Sequence, residues 1–386
     1  MKSLSLIWSI FLLCLLVAGA ASAMTVMNPV ALPPAGGTVT GAAFSPDNTR
    51  LALIRSVSAS GALGPRHILQ IVELRTAKKV AQADVLNEEA AYLATKAHFI
   101  AYSPDGRYLL EATVGSDMLS VIDATTLREQ KRIPLHPDVD SRASLGYSYR
   151  YFRGVVSLAG SKGGLFGVLT HDEMQDNEIF IGSFSSGQII ESWSLGKGRM
   201  MTELGDVSLS LSDDGLMVAV SALPHENSLP EDFNNVLLYN TTSKEMVNRI
   251  RTRGIVGPVL LLPGNSVLAA RIDISGLFSK KACIEKWNLA TAALERQFCD
   301  QGRIVGATLG ASRETERVVG FAYHTHKTAE GHVYAAPGRI DVWDMKSGSL
   351  LASSVEIPHL VSSIQVSSNG EWIMADQTLF QLSPAP

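Results

Sequence analysis

Short runs in which apolar and polar residues alternate recur along almost the whole chain, and they break at Pro, Asp, Asn, Ser and Gly. Successive side chains on a strand face opposite ways, so each run predicts a β-strand and each break a turn. "AAFSPDNTRLALI", from Ala42, and "IAYSPDGRYLLEA", from Ile100, are one phrase repeated, with Ser45 and Ser103 in register 58 residues apart. Weaker copies are "LSLSDDGLMVAVS", with Ser212 in that place, "LLLPGNSVLAAR", and "IQVSSNGEWIMAD", with Ser367. "VSLAGSKGGLFGVLT" and "ATLGASRETERVVGFAY" fill the remaining gaps, so the phrase returns every 50 to 58 residues or so. Each copy reads as a hairpin, and Asp105-Gly106 and Asp214-Gly215 are its strongest turns.

A second hairpin follows each copy but the last. These are "LQIVELRTAKKVAQ", "LSVIDATTLREQKRI", "IFIGSFSSGQIIESW", "VLLYNTTSKEMVNRI", "CIEKWNLATAALERQF" and "IDVWDMKSGSLLASS". The seventh unit ends at "TLFQLSPAP", one strand short, and the residues from about Met24 to Leu32 are free to supply it. The pattern therefore predicts an all-β chain of seven four-stranded antiparallel sheets in a ring, closed by an N-terminal strand. Closure removes the open sheet edges that template aggregation.

"IDVWDMKSGSLL", with Trp343-Asp344, resembles the third strand and turn of WD-repeat propellers, and "FSPDN" and "YSPDG" resemble the first turns of those and of YVTN-type propellers of exported proteins. The resemblance spans essentially all of residues 24–386 and implies a seven-bladed β-propeller. This chain departs from it by having one Trp-Asp pair and no Gly-His dipeptide. Propellers host both binding platforms and enzymes, so the resemblance carries fold and not activity.

Composition adds compartment and excludes partners. With 46% hydrophobic and 18% charged residues the chain is globular. A net charge of −4 without a Lys/Arg cluster argues against nucleic acid. Lys2, the apolar run from Leu4 to Val17 and Ala21-Ser22-Ala23 form the pattern of a secretory signal peptide over residues 1–23, which predicts a secreted or periplasmic product free of the membrane after cleavage. Of the three cysteines, Cys283 and Cys299 remain; a hairpin centred near Thr291 sets them opposite each other, and an oxidising compartment would bridge them.

In a four-stranded blade the first and third turns lie on one face, and the middle loop and the link between blades on the other. That second face collects the long insertions, where binding residues concentrate. In the link "LHPDVDSRASLGYSYRYFRG", residues Tyr147, Tyr149, Arg150, Tyr151 and Arg153 are of the types that dominate protein interfaces. His324 and His326, in "FAYHTHKTAEGH", read as a middle loop and are spaced to share a metal on an extended segment, with His171, His225 and several acids in neighbouring loops. No nucleophile elbow, zinc-protease motif, phosphate loop or dinucleotide glycine pattern is present, and no cofactor is expected. The expected function is a binding platform for a protein, or else for a small ligand, on the loop-rich face. The alternative is a hydrolase, lyase or metal-dependent enzyme at the channel mouth, with Asp117, Asp172 and Glu226 as candidate acids.

Overall fold

The strands fall where the alternation places them. The computed structural model describes residues 25–34, 36–57, 66–85, 98–114, 116–136, 154–171, 176–197, 208–221, 235–252, 255–272, 283–300, 303–327 and 333–384. Strand β1 (Thr25–Val30) precedes the first blade, which holds β2 (Thr38–Phe44), β3 (Arg50–Val57), β4 (Arg66–Glu73) and β5 (Lys78–Asp84). Blade two holds β6 (His98–Tyr102), β7 (Tyr108–Thr113), β8 (Met118–Asp123) and β9 (Glu129–Pro134); blade three holds β10 (Gly154–Gly160), β11 (Leu165–His171), β12 (Asp176–Ser183) and β13 (Gln188–Lys197). Blade four holds β14 (Leu209–Leu211), β15 (Met217–Ser221), β16 (Asn235–Asn240) and β17 (Met246–Arg251); blade five holds β18 (Ile255–Leu262), β19 (Ser266–Ile272), β20 (Cys283–Asn288) and β21 (Leu294–Phe298). Blade six holds β22 (Ile304–Ser312), β23 (Arg317–Lys327), β24 (Val333–Asp344) and β25 (Leu350–Ser353), and the chain ends with β26 (Ile364–Val366), β27 (Trp372–Ala375) and β28 (Thr378–Pro384).

Six sheets run in chain order, while the seventh has the order β1-β28-β27-β26. Its outermost strand comes from the N-terminus, paired antiparallel from Thr25 opposite Pro384 to Val30 opposite Leu379. The expected seven-bladed propeller of four-stranded antiparallel blades, closed by the N-terminal strand, is what the chain forms.

The core lies in the seams between blades. Along β3, Leu51 and Leu53 pack with Trp372 and Met374 of blade seven, while Ala52 and Ile54 pack with Leu109 and Ile122 of blade two. A second strand is thus covered on both faces, which is why its sequence is a continuous apolar run and not an alternating one. A side chain such as Leu51, fully buried, contributes about 1.5–3 kcal/mol by leaving water.

The repeated Ser-x-Asp turns close through the serine. Ser45 Oγ donates to Asp47 Oδ1 at 2.6 Å and accepts from Arg50 N at 2.9 Å; Ser103 with Asp105 and Tyr108, and Ser212 with Asp214 and Met217, repeat the arrangement. The outer turns of blades one to six each end in a left-handed residue, namely Ala77, Leu127, Gly187, Lys244, Ala292 and Gly348. Each is followed by a register shift in the outer strand, and blade seven, whose outer strand arrives without a hairpin, has none. A residue with a Cβ is strained at positive φ, so Ala77→Gly and Ala292→Gly should each raise stability by about 0.5–1 kcal/mol after the added freedom of the unfolded chain is deducted. The denaturant midpoint reads this directly, and a fall in either variant would refute it.

Candidate functional site at the loop-rich face

The two faces of the ring are built differently. On the turn face neighbouring turns are tied together: Gly163 N donates to Asp213 O at 2.7 Å, Ser312 Oγ to Ser368 O at 2.6 Å, and Asn48 Nδ2 to Ser368 Oγ at 2.9 Å. Arg313 of blade six also reaches past blade five to pair with Asp213 of blade four. The loop-rich face instead has charged and polar side chains buried just beneath it.

The most buried set lies in the seam between blades one and two. β7 carries Leu109, Glu111 and Thr113 on the side facing blade one, so Glu111 continues an apolar row and is only 2% exposed. Its Oε1 lies 2.8 Å from His98 Nδ1, and His98 Nε2 lies 3.1 Å from His67 Nδ1 at the start of β4. A carboxylate only accepts, so His98 carries its proton at Nδ1. The chain ends at His67 Nε2, which is buried and has no hydrogen-bond partner. Burial, and then the neighbouring His98, holds the His67 imidazole down at about 4, against an ordinary value of 6.5. Gly41 makes this approach feasible: a Cβ there would lie 2.7 Å from His98 O, a backbone atom that has no room to yield.

Comparable pairs sit under the same face elsewhere. His136, in the link after blade two, contacts Glu178 Oε2 through Nε2 at 2.8 Å and stands edge-on to Phe180, and its Nδ1 is buried without a partner. In blade five Glu285 forms an ion pair with Arg271, Nε to Oε1 at 3.0 Å, and accepts hydrogen bonds from Gln297 Nε2 at 2.9 Å and Trp287 Nε1 at 3.1 Å. The disulfide Cys283–Cys299 closes the same end of that blade, next to the Ile284–Phe298 pair, as the hairpin predicted. In blade six Asp341 Oδ1 accepts from Arg339 Nε at 2.8 Å and Ser353 Oγ at 2.5 Å, while Oδ2 is buried without a partner. Burial raises the Asp341 carboxyl in spite of those two donors. Asp300 links Arg339 and Arg303 at 3.3 and 3.4 Å.

Above this layer the link from blade six to blade seven presents apolar surface. It is pinned by reciprocal backbone bonds between Gly338 and Ile357, and farther on by the Asp376 carboxylate, which accepts from Ser362 and Ser363. Leu360, between these pins, is 50% exposed, and Val355, just before the first of them, is 61% exposed.

Several residues singled out in the sequence can now be placed. Tyr147, Tyr149, Arg150, Tyr151 and Arg153 lie outside the described residues, as do His225, Asp172 and Glu226. His324 and His326 lie within β23 and not in a loop: the strand runs on to Lys327 and pairs His326 with Tyr334. The register shifts between Tyr323 and Thr325, so the strict alternation expected of the two histidines is interrupted at His324 itself. His324 Nε2 accepts a hydrogen bond from Arg303 Nε at 2.9 Å. Among the described residues no group of three or more His, Cys, Asp or Glu side chains is arranged to hold a metal ion.

Sequence reasoning missed His67, His98 and Glu111. The available signal was a charge inside an apolar second or third strand, as in "LLEAT", "LAARI", "CIEKW" and "IDVW", because a charge at such a position needs a buried partner. No protein-family model and no curated protein matches the chain.

Proposed function

We propose that the chain is an exported, divergent relative of the WD-repeat and YVTN-type propellers and that it acts as a binding platform for a protein through its loop-rich face. The observation that carries this reading is what lies at the loop-rich face: buried polar atoms of His67, His136 and Asp341 without hydrogen-bond partners, and Val355 and Leu360 held out in water. Unpaired buried polar atoms and pinned, exposed apolar side chains both cost stability, and a rigid scaffold retains them where something docks. Export is supported by the Cys283–Cys299 disulfide and by the signal-like pattern of residues 1–23.

Tyr147, Tyr149, Arg150, Tyr151 and Arg153 belong to this surface in our reading. A photo-crosslinking residue at Leu360 should give a discrete adduct with a protein of the extracytoplasmic fraction, and the same residue at Lys346 on the turn face should give none. Replacing the five aromatic and arginine residues by Ala should remove the adduct and leave Tm unchanged. Equal labelling from both faces, or a large fall in Tm on replacing the five residues, would overturn the proposal.

A further inference from the structure

We propose that acid opens the loop-rich end of the seam between blades one and two while the turn end of the ring stays closed, so that protons remodel the face to which binding is assigned above. The link to binding rests on that assignment, whereas the opening itself does not.

In the Glu111–His98–His67 chain the one carboxylate is already taken up by His98, and His67 lies at the far end with no acceptor of its own. A proton added to His67 would put a cation 3.1 Å from the His98 ring with its Nε2–H facing no acceptor. Among the described residues the packed elements offer no further carboxylate to balance it. β2 brings the Gly41 backbone, β3 places Ser56 opposite His67 in register, and β6 and β7 bring only His98, Glu111 and Thr113. Arg55 of β3 shares the side of Leu51 and Leu53 that packs on blade seven, away from this seam. Asp84 of β5 is already paired with Arg66 at the exposed rim. His67 therefore takes up this proton only when the seam opens to water.

Blades five and six are built differently beneath the same face. They use Arg271–Glu285 and Arg339–Asp341, whose guanidinium groups stay charged, and blade five is also cross-linked. The turn-face ties described above involve Ser, Asn, Asp and Arg, and no histidine.

The sign follows from linkage. The closed-state value of about 4 lies below the ordinary 6.5, so the open state binds more protons and gains as pH falls from about 6.5 toward 4, with no effect above that window. These two values imply that the open population at pH 5.0 rises on the order of thirtyfold over pH 7.5.

Hydrogen exchange of the whole protein at the two pH values, corrected for intrinsic rates, should show this rise at the loop-rich ends of Arg66–Glu73 and His98–Tyr102 and not at their turn ends. Cys283–Asn288 of blade five should show no such rise. His67→Phe should remove the rise, and His67→Gln serves the same purpose if the larger ring prevents folding. Unchanged protection in the seam at pH 5.0, or a His67 variant that responds like the parent, would overturn the proposal. Crosslinking from Leu360 at pH 7.5 should be unaffected in the His67 variants, so a failure of the binding reading would be seen separately.

Discussion

A chain that begins after Val30 is expected to lose cooperative folding. The six residues of β1 form the whole outer edge of blade seven, and their pairing with β28 brings Thr25 beside Pro384. Met27, 5% exposed, packs in the same cluster as Phe380, Leu382, Ile357 and Val361, and Val30 packs against the Leu51, Leu53 and Trp372 cluster. Removing the strand gives up the burial of Met27, about 1.5–3 kcal/mol, and part of that of Val30, and it also exposes the paired groups of β28 as an open edge. The loss, about 2–4 kcal/mol from burial alone, is a large part of the 5–15 kcal/mol by which a domain is stable. Circular dichroism should show a broad thermal transition in place of a cooperative one, and adding a TVMNPV peptide in excess should restore part of it. A sharp transition within a few degrees of the parent's would show that six blades and a three-stranded seventh suffice, and would refute the closure argument.

Loss of the disulfide should have the next largest effect. Cys283 and Cys299 are 16 residues apart, and a loop of that size constrains the unfolded chain by about 3 kcal/mol. The bridge joins the two strand ends of blade five that also carry Arg271 opposite Cys283 and Asp300 beyond Cys299. Cys283→Ser with Cys299→Ser should lower Tm by roughly 5 °C. Reductant should produce a similar fall in the parent and no change in the double variant. Equal Tm values with and without reductant in the parent would show that the bridge contributes nothing in solution.

How much was legible depends on the range of the interactions involved. Hairpins are local: the Ser-x-Asp phrase contains its own turn, and Ser45, Ser103 and Ser212 close it with groups no more than five residues away. Repetition of a local unit, with one strand missing at the end, led from there to the ring and its N-terminal closure. The Cys283–Cys299 pairing was legible for the same reason, since both residues belong to one hairpin. His324 and His326 read as a middle loop but belong to a longer β23 with a register shift at His324, and a bulge leaves no clear mark in composition.

The amino-acid sequence by itself determined the blade, the number of blades, the closing strand and the face on which each connection lies, because all of these follow from local turn chemistry and its repetition. Only the tertiary structure decided which buried charges meet. His67 and Glu111 belong to different blades and are joined through His98, and Asp341 reaches Asp300 through Arg339. The physical reason is that a charge inside an apolar strand announces that it needs a partner, but the partner is chosen by how neighbouring blades pack, and no local pattern records that.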